Sequence, residues 1–354
     1  MCLTTKYHLQ KSKAIIYLLI AFACSCSNRG ESNGSINLDF LSIPSVEFDY
    51  EVLGIDSLSL DVNNEKNEST YMLSNIDKIV YKNEMLFISD WRHGKIVSFD
   101  RDGNGILSIS KRGRGPQEYL KISDFDVDDE CRIIIMDGQS DCIYFYNQNG
   151  NFLNSQKLPF EAYAFKVLNN GGYLFNLTPW NKGKGAGYKI AITDKSLHLL
   201  KHSIKYDGVY DSDYSFSSTA FTCSNSGITF NQPIDDNVYV LSNDGKQLVS
   251  YLFNFGSATV PLDIRKHIEA NINSLLSYSF ITNAVYADEH RIIGTLMERG
   301  EYRDFIVDLD NNVKYLQKEG SAIKLRTVSN GYAILQDLNN YTLFIVPVSS
   351  FYPQ

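Results

Sequence analysis

Phe87-Ile88-Ser89-Asp90 and, 47 positions later, Ile134-Ile135-Met136-Asp137 are two copies of one pattern, an apolar run closed by aspartate. Phe99-Asp100-Arg101-Asp102-Gly103-Asn104 and Tyr146-Asn147-Gln148-Asn149-Gly150-Asn151 repeat at the same offset of 47. Val240-Leu241-Ser242-Asn243-Asp244-Gly245 carries the turn again 95 positions further on, close to two more periods. A strand-like repeat of about 40–50 residues is the signature of a β-propeller, with one repeat per blade. The composition agrees with an all-β body: Tyr 23 and Phe 20 are high counts and Pro 8 is low, and aromatic residues favour pleated, half-buried surfaces.

Laid along the chain, the period predicts six blades. Blade one has strands near 76–81, 85–89 and 96–100, and blade two near 125–127, 132–136 and 143–147. Blade three has 165–168, 173–177 and 189–193, with a Gly/Lys-rich insertion at 181–187. Blade four has 221–223, 228–231 and 238–241, closing on Asn243-Asp244-Gly245, a turn signal. Blades five and six have 284–287, 291–296 and 305–308, then 325–328, 332–336 and 343–346. From Gly245 to Asn311-Asn312 is 66 or 67 positions, longer than one period. The excess falls at 261–278, where Pro261 precedes Ile264, Ile268, Ile272, Leu275 and Leu276 at helical spacing. That predicts an inserted helix. Residues 45–60, with Phe48, Tyr50, Val52 and Leu53, belong to no blade. They are expected to add an outer strand to blade six and close the ring, hiding an otherwise sticky edge.

The N-terminus reads as an address. Lys6, Lys11 and Lys13 precede the apolar run from Ala14 to Ala23, and Cys24-Ser25-Cys26-Ser27-Asn28 follows at once. The run is too short for a membrane span, which needs about 20 apolar residues, and fits an export signal. Small residues leading into cysteine resemble the bacterial lipobox, whose cysteine is acylated and becomes the new N-terminus. Cys24 or Cys26 is the candidate, giving a signal of residues 1–23 or 1–25, a tether over 24–44 and a single propeller domain over 45–354. Acyl chains there would hold the protein to a bilayer. Neither cysteine is followed by the acidic cluster that resembles a surface-export signal, so the expected location is the outer membrane, facing the periplasm. Removing residues 1–23 takes away three lysines and no acids, moving the net charge from −8 to −11. That acidity excludes a nucleic-acid partner, which requires a clustered basic surface.

The most distinctive local sequence is Lys111-Arg112-Gly113-Arg114-Gly115-Pro116-Gln117-Glu118-Tyr119, between blades one and two, followed by Ile122-Ser123-Asp124-Phe125-Asp126-Val127-Asp128. With the blade rhythm, the lipobox and the late helical insertion, it resembles the Gly-x-Gly-Pro-Gly-Glu-Tyr motif of six-bladed β-propeller lipoproteins of anaerobic gut bacteria, with an NHL/TolB-like architecture. Gln117 stands where that motif has glycine. The resemblance implies a fold and a compartment, and no catalytic residues.

Arg112, Arg114, Glu118 and Tyr119 are the candidate ligand-binding residues. The arginines offer bidentate contacts to a carboxylate or phosphate, as of an anionic glycan or a partner protein. The competing expectation is a structural corner in which Glu118 caps backbone amides and Tyr119 packs between blades. Asp124, Asp126 and Asp128 invite calcium, but no glycine follows at the sixth position of an EF-hand-type loop, and in a strand all three share one face. Asp90, Asp137, Asn176, Asn231 and Asp337 recur after second strands and predict Asx-type turns. Cys131, Cys142 and Cys223 fit no metal spacing and read as buried free thiols. No Gly-x-Ser-x-Gly elbow occurs. No catalytic residue or cofactor is predicted. A divalent metal held by carboxylates from separate blades, as in the metal-dependent lactonases that this architecture resembles, is the one cofactor left open. Two functions therefore compete: a lipid-anchored, non-catalytic binding or scaffold propeller, and a channel-centred hydrolase or lyase acting on a small anionic or sugar-derived substrate.

Overall fold

In the computed structural model, which describes residues 34–50, 58–61, 69–206, 220–224, 227–340 and 342–350, the repeated turn has one construction. Asp100 Oδ1 accepts the amides of Asp102 and Asn104, Asn147 Oδ1 those of Asn149 and Asn151, and Asp194 Oδ1 those of Ser196 and His198. Each of these turns, and the Ser242–Lys246 turn in which Ser242 Oγ accepts the Lys246 amide, has one left-handed residue, supplied by Gly103, Gly150, Leu197 and Gly245 at φ 78°, 74°, 62° and 77°. Only glycine adopts that conformation without strain, which is why the Gly signal was readable in three of these turns.

The turns join antiparallel strands into six sheets, one per blade. Blade one is Lys78–Lys82, Met85–Asp90, Lys95–Phe99 and Gly105–Ile109, ordered from the axis outward. Blade two is Asp124–Val127, Ile133–Asp137, Cys142–Tyr146 and Phe152–Lys157. Blade three is Ala162–Val167, Tyr173–Leu177, Tyr188–Thr193 and Leu199–Lys205. Blade four is Phe221–Ser224, Gly227–Asn231, Asn237–Leu241 and Gln247–Asn254, and blade five Phe280–Ala287, Arg291–Glu298, Glu301–Asp308 and Val313–Gln317. Blade six takes Ile323–Ser329, Tyr332–Asp337 and Thr342–Pro347 from the end of the chain and Leu58–Asp61 from its beginning. The innermost strands contact one another in sequence around the ring. The protein is a six-bladed β-propeller.

Closure involves more chain than the sequence reading assigned to it. Only Leu58–Asp61 joins blade six, antiparallel to Thr342–Pro347 with Leu60 opposite Leu343. Ser45–Phe48 instead runs parallel to Val313–Gln317 as a fifth strand of blade five. Gly34–Asp39 runs parallel to Gln247–Asn254 as a fifth strand of blade four. The tether expected over 24–44 is therefore a paired strand over 34–39; composition suggested a loose linker, but an edge strand supplies backbone partners to any sequence without proline. These segments form a strap along the outer edges of blades four, five and six. The signal, Cys24, Cys26 and the tether up to residue 33 lie outside the described residues.

The apolar core lies between blades. Val80, Phe87, Tyr119, Phe125 and Ile135 fill the interface of blades one and two, and Phe145, Phe160, Phe165 and Phe175 that of two and three. The strap contributes to two others. Phe40 packs with Phe253, Phe255 and Phe305 between blades four and five, and Phe48 and Tyr50 enter the cluster between five and six.

The insertion after blade four is broken into Leu262–Lys266, a 3-10 turn at Glu269–Asn271, and Ile272–Leu275. Ile264, Ile268 and Leu275 are buried, whereas Ile272 and Leu276 stay exposed. One continuous helix would have placed all five on one stripe; the break at 267–271 turns two of them away. The described residues contain no helix long and apolar enough to cross a membrane.

Candidate functional site

Within each blade the chain runs as a meander, so the turns after second strands and the connections between blades share one end of the propeller. The 110–123 connection, the insertion and the 318–322 connection all belong to that end. A cleft of about 810 Å³ opens there over blades five and six, overhung by Ile272, Leu275 and Leu276.

Irregular strands build its floor. The innermost strand of blade five shifts register between Ile281 and Asn283, and that of blade six between Leu325 and Thr327. A bulge leaves one residue unpaired and re-aims its neighbours, and Asn283 and Arg326 at these breaks both line the cleft. Asp304, on the third strand of blade five opposite Thr295, lies beneath them and is 1% exposed. Its Oδ2 accepts the Leu325 amide at 2.7 Å and the Tyr50 hydroxyl at 3.0 Å. Its Oδ1 has no hydrogen-bond partner among the described residues, and neither has Asn283 Oδ1.

Burial pushes the Asp304 carboxyl up to about 7, against the pull of the Leu325 amide, Lys324, Tyr50 and Arg326. Asp77 is also raised, first by burial, although it accepts the Trp91 amide at 2.6 Å. Arg326 donates to the Ile76 carbonyl; burial lowers its pKa and the Asp77 and Asp304 carboxylates oppose that. Lys324 Nζ donates to Gln317 Oε1 at 2.7 Å and to the Tyr302 carbonyl at 3.1 Å. The result is a mixed-charge floor under an aliphatic rim.

The residues singled out from sequence are at the same end but outside the cleft lining. Arg112 and Arg114 are exposed and make no ion pair among the described residues. Glu118 Oε2 accepts the Gly115 amide at 2.8 Å, folding its carboxylate over the loop. A Cβ on Gly113 would sit 1.9 Å from that oxygen, so a larger residue there would displace the Glu118 carboxylate. Tyr119 is 0% exposed, donates to the Gly94 carbonyl at 2.8 Å and accepts the Lys111 amide at 3.1 Å. Tyr119 thus packs between blades and is not open to a ligand; its hydroxyl belongs to the corner.

Two of the three aspartates form an inter-blade clasp. Asp124 pairs with Lys78 of blade one at 2.6 Å and accepts the Phe165 amide of blade three at 2.9 Å. Asp126 pairs with Lys166 at 2.8 Å and accepts the Val167 amide at 2.8 Å. Asp128 pairs with Arg132 at 2.6 Å and caps the turn that follows. Each carboxylate that calcium would require already has a cationic partner, and among the described residues no three His, Cys, Asp or Glu side chains group to hold a metal.

Of the predicted Asx positions, Asp90, Asp137 and Asp337 accept turn amides from His93, Gln139 and Asn339. Asp90 and Asp137 also accept the amides of Ser74 and Leu120, tying each turn to the preceding connection. Asn231 spans its turn as a donor to the Asn237 carbonyl, while Asn176 accepts from Gln232 of the next blade. Cys131, Cys142 and Cys223 are free and half-buried, not fully buried.

A six-bladed propeller with a cleft at one channel mouth is thus the class that fold and site define. The chain belongs to the family described as Domain of unknown function (DUF4934), which matches residues 64–352. It is similar in structure to a protein of Bacteroides fragilis NCTC 9343 described as exported, with TM-score 0.68 and 17% identity over 88% of this chain and 98% of that one. It is also similar to a DUF4221 family member of Bacteroides vulgatus, with TM-score 0.54 and 12% identity over 82% and 95% of the two chains. At these identities the likeness shows the fold alone. No curated protein matches the sequence.

Proposed function

We propose that this protein is a lipid-anchored, non-catalytic binding propeller of the bacterial envelope, taking its ligand or partner at the end that carries the cleft. The observation that carries this is the cleft itself: exposed apolar side chains ring a buried polar floor in which two acceptor oxygens have no partner among the described residues. Binding sites typically combine apolar walls with a few convergent polar groups. Arg112 and Arg114 extend the contact surface at the same end. The anchor reading rests on the Lys-rich start, the short apolar run and Cys24 or Cys26, in keeping with the exported description of the B. fragilis protein.

The test is chemical crosslinking in intact cells with wild type and with Leu276→Asp, a change at an exposed rim position. Loss of crosslinked species at an unchanged melting temperature supports the cleft as the binding site. An identical set of crosslinked species would remove the cleft from consideration.

One observation favours the second function, a hydrolase or lyase. Asp304 lines the cleft with a carboxyl raised to about 7, the range suited to proton transfer. Its Oδ2 bonds to Tyr50 and Leu325 give it a structural task as well, which is why the binding function is preferred.

A further inference from the structure

We propose that the cleft takes an uncharged peptide segment bearing an aliphatic side chain, an assignment that rests on the cleft being the binding site. The rim sets the first requirement. Ile272, Leu276, Leu338 and Tyr302 are 46%, 49%, 53% and 60% exposed around one opening. Such a concentration of exposed apolar side chains marks an interaction site. Three of the four are aliphatic, and the wall continues inward through Met297. Aliphatic walls suit a branched side chain; a sugar face is better served by flat aromatic rings, and here only Tyr302 offers one at the rim.

The floor sets the second requirement. Asn283 Oδ1 and Asp304 Oδ1 are acceptors without partners among the described residues. Arg326 brings five N–H donors to the same floor, with one hydrogen bond among the described residues, to the Ile76 carbonyl. A ligand that reaches this floor is favoured if it supplies donors and an acceptor together. A peptide backbone does so, each amide bringing one N–H for an acceptor and one carbonyl for the guanidinium. The acceptors are shielded from bulk water, where a donated hydrogen bond is worth more than at an open surface.

Charge sets the third. Lys324 and Arg326 face Asp77, Asp304 and Glu301 in one cleft, two cations against three carboxyls, of which Asp304 is fully buried. With the cations so nearly balanced, neither a strongly anionic nor a strongly cationic ligand gains from the site. The volume of about 810 Å³ lies within the range of roughly 300–1,000 Å³ usual for ligand pockets and accommodates a short peptide stretch.

The test is isothermal titration of the purified full-length chain with N-acetyl-leucyl-leucinamide and, separately, with maltotriose, both uncharged. Leu276→Asp and Asn283→Leu are titrated beside wild type, with melting temperatures recorded. The expected result is saturable binding of the peptide, weakened at least tenfold by each substitution, and no binding of the saccharide. Saccharide binding that Leu276→Asp removes, without peptide binding, overturns the peptide class and leaves the cleft as the binding site. Peptide binding that neither substitution alters places the ligand elsewhere and overturns the assignment. Binding of neither probe at millimolar concentration also overturns it; the crosslinking comparison then decides separately whether the cleft binds anything.

Discussion

The Tyr50 hydroxyl donates to Asp304 Oδ2 at 3.0 Å across a sequence separation of 254 residues. One end of this contact is in the strap and the other lies under the cleft. The same carboxylate oxygen accepts the Leu325 amide of the neighbouring blade. A single buried carboxyl thus joins strap, blade five and blade six. Tyr50 remains a donor over the working range, because burial pushes its hydroxyl pKa well above the usual value.

Asp304 gives the fold a definite pH dependence. Its folded-state carboxyl is raised to about 7 from an ordinary value of 3.8, so the folded chain keeps a proton that the unfolded chain has released. This contribution to stability is complete below about pH 4 and is lost as pH rises to about 7. Urea unfolding of wild type and Asp304→Asn at pH 5 and pH 8 should show a smaller loss of stability with rising pH in the variant. Equal pH dependence in the two proteins would contradict the assignment.

Phe40 should be the most sensitive strap position. It is 1% exposed and packs on Phe253, Phe255 and Phe305. Phe40→Ala is expected to cost about 3–5 kcal/mol in chemical denaturation. Deleting the chain through residue 62 should go further and cause aggregation, because three outer strands would lose their partners. A soluble deletion variant with wild-type stability would show that the strap is dispensable.

The 111–119 corner separates into two kinds of residue. Arg112→Gln/Arg114→Gln should change stability by no more than about 0.5 kcal/mol, as exposed charges usually do, while weakening crosslinking at this end of the propeller. Tyr119→Phe removes the donor to Gly94 and should cost about 1–3 kcal/mol, since buried groups lose their partner. A stability loss from the arginine pair with all crosslinks intact would make the whole loop architectural.

For the anchor, metabolic labelling with a clickable palmitate analogue should mark the wild-type chain and not Cys24→Ala/Cys26→Ala. The single variants identify which thiol is acylated. The double variant should also leave the membrane fraction; its retention there would refute lipid attachment.

What the sequence disclosed follows the range of each interaction. The turns at Asp100–Asn104 and Asn147–Asn151 are closed by their own side chains, so spacing alone revealed the repeat and the blade count. The outer strand of blade six was readable as an unassigned apolar segment before blade one. Ser45–Phe48 was merged with it and Gly34–Asp39 was read as tether, because parallel pairing to strands more than 200 positions away leaves no local mark. Asp304 was invisible for the same reason. It occupies an ordinary position in Glu301–Asp308, and its burial depends on Tyr50 and Leu325. The cleft depends on bulges at Asn283 and Arg326 that no turn residue announces. The aspartate series at 124, 126 and 128 drew attention by composition, but its partners Lys78 and Lys166 come from adjacent blades.

The strap also imposes an order of events on biosynthesis. Every strand it pairs with lies at or beyond Gln247, so the first part of the chain to emerge from a ribosome must wait for the last part before it can dock. Until then the outer strands of blades four, five and six stand open, and contacts of such long sequence separation form slowly. A nascent or prematurely ended chain is therefore the form most prone to pair with its neighbours. An N-terminus fixed to a bilayer would let the finished blades assemble back onto a stationary end, turning a search through solution into a local one.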